Sequence, residues 1–306
     1  MYFLNWLLKT VCGMGMLGLG ADTTTTTLAQ CIPTIVASAL LELDEGNIVQ
    51  PLVTDVPFPG PGIIHRTPFV DRITAESDDS LASQALDSSD ETASSNATVG
   101  VHGAYVQLKD IAALGSVSDM AAIAGQLIGQ CLVVRKDLDL ILLFSSFATN
   151  QGQATSIAIT PADLYDAYGS LRLYHSPLPY NLVLSPKQIW ANNGIIQLFD
   201  GTSDAITSVG LGTVGEDWSR FGFAGMALGF SLWSDSNIPI ASTAQGIGAA
   251  FSREAIKCVR KRDFQIEIQR DAAEVADRIV GSEIRGEAIL RGLHGNKMQY
   301  PINLAV

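Results

Sequence analysis

Apolar side chains recur at spacings of three and four from Asp119 to Phe147. Met120, Ile123, Leu127, Cys131, Val134, Leu138 and Ile141 therefore share one face of a helix. Ser118 stands where an N-cap belongs. Helical throughout, the segment is about 29 residues and roughly 43 Å long, well above the usual helix length. In a chain with no heptad array elsewhere, a helix of that length is a spine on which other elements lie. A second helix is signalled by Thr160-Pro-Ala-Asp-Leu-Tyr-Asp-Ala-Tyr-Gly169, where Thr160 caps, Pro161 suits the first turn and Gly169 falls inside or near the end. Leu182–Leu184 reads as a short buried strand stopped by Ser185-Pro186.

The flanking pattern is less regular. Pro33–Leu43 reads as a short helix ended at Gly46, with Ile35, Leu40 and Leu43 apolar. Asn47–Pro59 alternates around several prolines, as an extended segment does, and Pro59-Gly-Pro-Gly62 is a turn cluster. Residues 71–98 hold seven acidic side chains against one basic, Arg72, with only Ile73, Leu81 and Leu86 as large apolar groups. Such a stretch does not bury enough surface to offset its own ordering entropy. With strand-like Ile63–Val70 and Val99–Leu108 on either side, it reads as a long two-stranded arm with a polar tip or, on these residues alone, as a disordered surface loop. Between Tyr180 and Arg260 short apolar runs and many glycines read as a mixed sheet with surface helices. Asp263–Arg270 alternates cleanly, with Phe264, Ile266 and Ile268 on one face, and is the clearest strand in the chain. Asp271–Val280 reads as a short helix and Tyr300–Val306 as a terminal strand.

This order resembles the major capsid proteins of tailed bacteriophages, the Hong Kong 97-like fold, over residues 28–306. The likeness rests on the spine helix, on the capped helix beginning Thr160-Pro-Ala-Asp-Leu, and on the strand closed by Leu184-Ser-Pro-Lys-Gln188. It implies an α+β protein with an N-terminal arm (1–61), an extended loop (62–108), a peripheral domain carrying the spine helix (109–155), an axial domain (156–255) and a return through the peripheral domain to a C-terminal strand (256–306). It also implies a structural role: self-association into pentamers and hexamers of an icosahedral shell around double-stranded DNA, made in the host bacterial cytoplasm and carried in the virion. Further implied partners are a portal protein and a decoration or cement protein. About 27 residues precede the first placed element, and they are apolar and Gly-rich rather than charged and helix-forming. A separate scaffolding protein is therefore expected.

Composition agrees. Net charge is −12 and the pI is near 4.6, against a basic nucleic-acid-binding surface and compatible with an inner wall that repels packed DNA. With hydrophobic residues at 47%, 306 residues suffice for two compact cores, and no apolar run reaches the length of a membrane span. Cys12, Cys31, Cys131 and Cys258 are widely separated, without a C-x-x-C pair, as reduced thiols are. Met1–Gly20 is apolar and Gly-rich. Read as a secretory signal, with cleavage near Ala21, it would make the chain a secreted β-rich adhesin or enzyme, but Leu19 makes a poor cleavage site. A cellular nanocompartment shell of the encapsulin kind is the other alternative.

Candidate chemistry is sparse. Gly13-x-Gly15-x-x-Gly18 and Gly210-x-Gly212-x-x-Gly215 match the dinucleotide fingerprint in letters only. The first runs into Thr23–Thr27, a poor helix start, and the second into Glu216–Arg220 without helical periodicity. His65, His102, His175 and His294 are far apart, none at metal-ligand spacing. No nucleophile elbow, phosphate loop or zinc-protease motif occurs. Asp163 and Asp166 complement a helix N-terminus. The expectation is no enzyme, no catalytic residues, no cofactor and no metal.

Overall fold

The computed structural model describes residues 35–40, 47–69, 93–109, 120–151, 159–190, 195, 223–238 and 245–301. The two glycine fingerprints, Ser118, Cys12, Cys31 and the interior of the acidic segment lie outside them.

Two sheets form the body. One has four strands in the order β1 (Thr54–Pro57), β10 (Ile256–Asp271), β11 (Ala276–Ile289) and β4 (Gly100–Lys109). The other has six: β5 (Thr149–Gln151), β12 (Gly295–Pro301), β9 (Gln245–Ser252), β6 (Tyr180–Leu184), β8 (Phe230–Ser234) and β7 (Phe223–Ala227). The second sheet is mixed, with β5/β12 and β6/β8 parallel and the remaining pairs antiparallel. A separate antiparallel hairpin joins β2 (Ile64–Phe69) to β3 (Ala93–Thr98).

The long helix α1 runs from Met120 to Leu142, and a 3-10 turn, Leu143–Ser146, continues it. It bridges the sheets. Its first half sets Ala124, Ile128, Leu132 and Val133 on the four-stranded sheet, against Ile279, Val106, Phe264 and Ile266. Its end carries Leu140, Ile141, Phe144 and Phe147 into a second core with Val183, Ala249 and Phe251 of the six-stranded sheet. Of the face that Met120, Ile123, Leu127, Cys131, Val134, Leu138 and Ile141 share, only Ile141, near the helix end, is buried. Ile123, Leu127 and Val134 are exposed, as is Cys131, and the buried stripe lies on the opposite side of the helix. Two apolar stripes leave the periodicity ambiguous, and the sheets decide which one is covered.

The opposite face of the six-stranded sheet is covered by α2 (Pro161–Leu173), whose Leu164, Ala167 and Leu171 pack on Leu182, Phe230 and Ala250. Helices on both faces explain why β6 is buried at all five positions, a run rather than an alternation. The α2 N-terminus is a reciprocal capping box. Thr160 Oγ1 accepts from the Asp163 amide at 3.3 Å, and the Asp163 carboxylate accepts from the Thr160 amide at 2.8 Å. Asp163 thus caps by hydrogen bond as well as by charge. A short helix α3, Pro186–Trp190, follows β6.

Three expectations are corrected. Asp271–Val280 is not helical: a turn closes the longest hairpin, and β11 begins at Ala276. Asp271 Oδ1 accepts from the Ala273 amide at 3.2 Å, Val275 takes a left-handed φ of 50°, and strand partners on both sides of β11 outweigh the helix preference of Ala and Glu. The second strand of the arm is β3, not Val99–Leu108, which instead forms most of β4 and pairs with β11. Nothing in Ala93-Ser-Ser-Asn-Ala-Thr98 reads as a strand. It is one because Ser95 and Ala97 are pressed onto the body and the backbone pairs with β2. The last strand begins earlier than expected, at Gly295.

Helical residues 35–40 lie against the start of α1. Ser38 Oγ donates to the Ala122 carbonyl at 3.2 Å, and a Cβ on Gly125 would come within 2.2 Å of that Oγ and 2.5 Å of the Ile35 carbonyl. Gly125→Val is therefore expected to lift residues 35–40 away, at a cost of about 1–3 kcal/mol. Hydrogen exchange should show faster labelling of 35–40 with β10 and β11 unchanged.

Candidate functional site

The arm hairpin is pinned to the body by a buried lysine and by Ala97, which packs with Val259 and Ala288. Lys257 of β10 is wholly inaccessible, and its Nζ donates to the Ser95 carbonyl at 2.6 Å, Thr67 Oγ1 at 2.8 Å and the His65 carbonyl at 3.5 Å. It holds both strands at once. All three acceptors are neutral, and burial lowers the lysine's pKa from its ordinary value. Ser95 Oγ donates to the Ile289 carbonyl at 2.5 Å, and the Val99 amide to the Ile63 carbonyl at 2.8 Å. Thr98 crosses β11 so closely that a Cβ on Gly286 would sit 2.3 Å from its carbonyl oxygen. Phe58 meets the His65 ring edge-on at 5.2 Å, and Lys261 lies over the Phe58 ring and donates to the Gly62 carbonyl.

Beneath α1 lies a network of charges. Arg285 of β11, only 2% exposed, donates to Glu283 at 2.7 Å and to Asp139 at 3.1 Å, and it pairs with Glu287. Lys136 reaches Glu283 at 3.3 Å, and Arg135 reaches Asp139 at 2.9 Å. His102 Nδ1 of β4 stands 3.6 Å from Asp139. Burial first, then Arg285, lowers the His102 pKa, so the imidazole is neutral at neutral pH. Three cations thus face three carboxylates between helix and sheet. His102, Asp139 and Glu287 bring ligand atoms within 4.8 Å of one another, a spacing a metal ion could use. Arg285 already bonds both of those carboxylates, however, and the cluster is complete as an ion-pair network.

The sequence names no catalytic residue, and the geometry brings together charges that hold elements in place. Lys257, Arg285 and the carboxylates below α1 carry no local signature; their partners lie far away in the chain. Exposed apolar groups mark the outside: Ile123, Leu127 and Val134 along α1, Ile63 and Ile64 on the arm, and Val101 and Tyr105 on β4. No described helix is long and apolar enough to cross a membrane.

Two sheets bridged by one long helix, with a two-stranded arm pinned beside them, give a mixed helix-and-sheet fold similar to that of Hong Kong 97-like phage capsid proteins. Solved structures bear this out at low sequence identity. The capsid of cyanophage P-SCSP1u aligns at 16% identity and a TM-score of 0.59, over 81% of this chain and 86% of that one. The head of Helicobacter pylori bacteriophage KHP40 aligns at 9% identity and 0.60, over 84% and 91%. The SrpI encapsulin of Synechococcus elongatus aligns at 12% and 0.54, over 96% of each. No family model matches the sequence, and no curated protein matches it.

Proposed function

We propose that this chain is the major capsid protein of a tailed phage, a structural subunit that assembles with itself into an icosahedral shell around double-stranded DNA. The observation that carries the reading is its structural likeness to phage capsid and head proteins over more than four fifths of both chains. Capsids of a cyanophage, a mycobacteriophage, PhiM1 and KHP40 recur among the similar structures, at TM-scores from 0.54 to 0.60, which supports a phage shell; the encapsulin, at 0.54, shares the fold. Residues 1–61 serve as the N-terminal arm and 62–98, with the β2–β3 hairpin, as the extended loop, Gly100–Lys109 having joined the four-stranded sheet. The four-stranded sheet with α1 forms the peripheral domain, and the six-stranded sheet, which β5 and β12 join, the axial domain that meets its copies at the capsomer centre. The functional sites are surfaces repeated by symmetry. The chain has no catalytic role and resides in the virion after synthesis in the host cytoplasm. A portal protein, a separate scaffolding protein and a decoration protein are its partners.

Electron microscopy and sedimentation of the purified chain, with and without a co-expressed scaffold, test the reading. Closed shells of pentamers and hexamers are expected, of mixed size or as tubes when the scaffold is omitted. A stable monomer under both conditions would overturn it, and shells filled with an enzyme rather than DNA in their native context would favour the encapsulin alternative.

A further inference from the structure

The long helix carries an apolar stripe that the body leaves uncovered. Ile123, Leu127, Cys131 and Val134 follow one another along α1 at spacings of four, four and three, and all are exposed, Leu127 to 51%. Gln126 and Gln130, also exposed, border the stripe on one side and Arg135 on the other. An apolar seam rimmed by polar groups marks a contact surface, and its narrow spacing suits a second helix. It is separate from the faces already packed. Ala124, Ile128 and Leu132 meet the four-stranded sheet, and Ala122 and Gly125 meet residues 35–40.

The chain itself holds a segment of matching pattern. Leu4, Leu7, Leu8 and Val11 recur at the spacing of one helix face, and Asn5 and Lys9 fall on the other side. The segment precedes the described residues, but the point where the chain enters the body is fixed. Ile35 packs with Ala124 and Ile128, and its carbonyl lies 2.5 Å from where a Cβ on Gly125 would sit. The N-terminal residues are therefore delivered to α1 close to Ile123, the first member of the stripe. The 23 residues from Cys12 to Thr34 can span up to about 75 Å. That is several times the roughly 16 Å of helix from Ile123 to Val134. Such a tether gives an effective concentration on the order of millimolar, far above that of a second copy in dilute solution.

We propose that Leu4, Leu7, Leu8 and Val11 lie on Ile123, Leu127, Cys131 and Val134 of the same chain, so that the N-terminal segment covers the outer face of the long helix. The cover belongs to the single subunit and does not depend on what the chain assembles into. A charge placed on the apolar face of the segment would have to be buried without a partner, and the cover would lift.

Cys131 reports the cover directly, because its thiol stands in the middle of the stripe. Maleimide labelling of the dilute full-length chain, read at each cysteine by peptide mass spectrometry, should be about tenfold slower at Cys131 than in the denatured chain. Leu4→Asp combined with Leu8→Asp should restore fast labelling, whereas Lys9→Gln, on the other side of the segment, should change nothing. Cys258 is buried in the body and should stay unlabelled in every variant, which shows that each is folded. In the unaltered chain a short bismaleimide should join Cys12 to Cys131. With isotopically light and heavy chains mixed in equal amounts, the joined peptides should carry one isotope only. Fast labelling of Cys131 in the unaltered chain would overturn the proposal. Slow labelling that survives the Leu4 and Leu8 substitutions would also overturn it, since something else would then cover the stripe. Joined peptides of mixed isotope would overturn it as well, because the segment would then come from a second copy.

Discussion

Replacing Arg285 by Ala is expected to destabilise the subunit by about 3–5 kcal/mol, the usual cost of removing one partner from a buried charge network. Arg285 is the hub: its guanidinium reaches Glu283, Glu287 and Asp139, and it joins β11 to α1. Without it, three carboxylates with little exposure are left with Lys136 and Arg135 alone. Arg285→Lys should recover only part of the loss, because an ammonium cannot match the planar fork that spans three acceptors. Replacing Arg285 and Glu287 together by apolar residues of similar volume should cost far less than Arg285→Ala, since Glu283 keeps Lys136 and Asp139 keeps Arg135. Denaturant unfolding of the three variants checks the order. An Arg285→Ala chain within about 1 kcal/mol of the parent would show that the network is solvated and contributes little.

Lys257→Met is expected to free the arm while leaving the body folded. Methionine fills much of the lysine's volume but donates nothing to the Ser95 and His65 carbonyls or to Thr67 Oγ1. Stranding such acceptors costs about 1–3 kcal/mol each where water does not reach them. The loss falls on β2 and β3, which form a two-stranded sheet of their own, held otherwise by the Ser95–Ile289 bond and by Ala97 against Val259 and Ala288. Hydrogen exchange should rise by one to two orders of magnitude at 64–69 and 93–98, with β9, β6 and β8 unchanged. Under the proposed function, the variant should yield soluble subunits and few shells. Thr67→Val, which removes one of the three acceptors, should have a milder effect of about 1 kcal/mol. Full shell yield from Lys257→Met with unchanged exchange would show that the hairpin is held by something other than this lysine.

Some of the architecture is readable directly in the chain because its signals act over a few residues. Thr160, Pro161 and Asp163 start α2 through contacts three positions apart. Asp263–Arg270 alternates because one face lies on α1 and the other meets solvent. The order of the spine helix, the capped helix and the strand ending at Leu184 was enough to point to the fold, although no single motif in it performs chemistry. The errors have a common origin. Asp271–Val280 has a helical composition, and Ala93–Thr98 has none of the apolar alternation of a strand. Both became strands because a neighbouring backbone was waiting to pair with them.

Local spacing by itself determined the existence of the long helix, the α2 cap, the buried β6 run and the absence of any recognisable catalytic motif. Only the tertiary structure decided which face of the long helix is covered and which side chains act together. Arg285 meets Asp139 across 146 positions, and Lys257 meets Ser95 across 162. Asp137 caps Ile48 from 89 residues away. Such partners leave no periodicity to read, since a charge finds its counterpart only after the sheets have folded around it and excluded the water that would otherwise have solvated both.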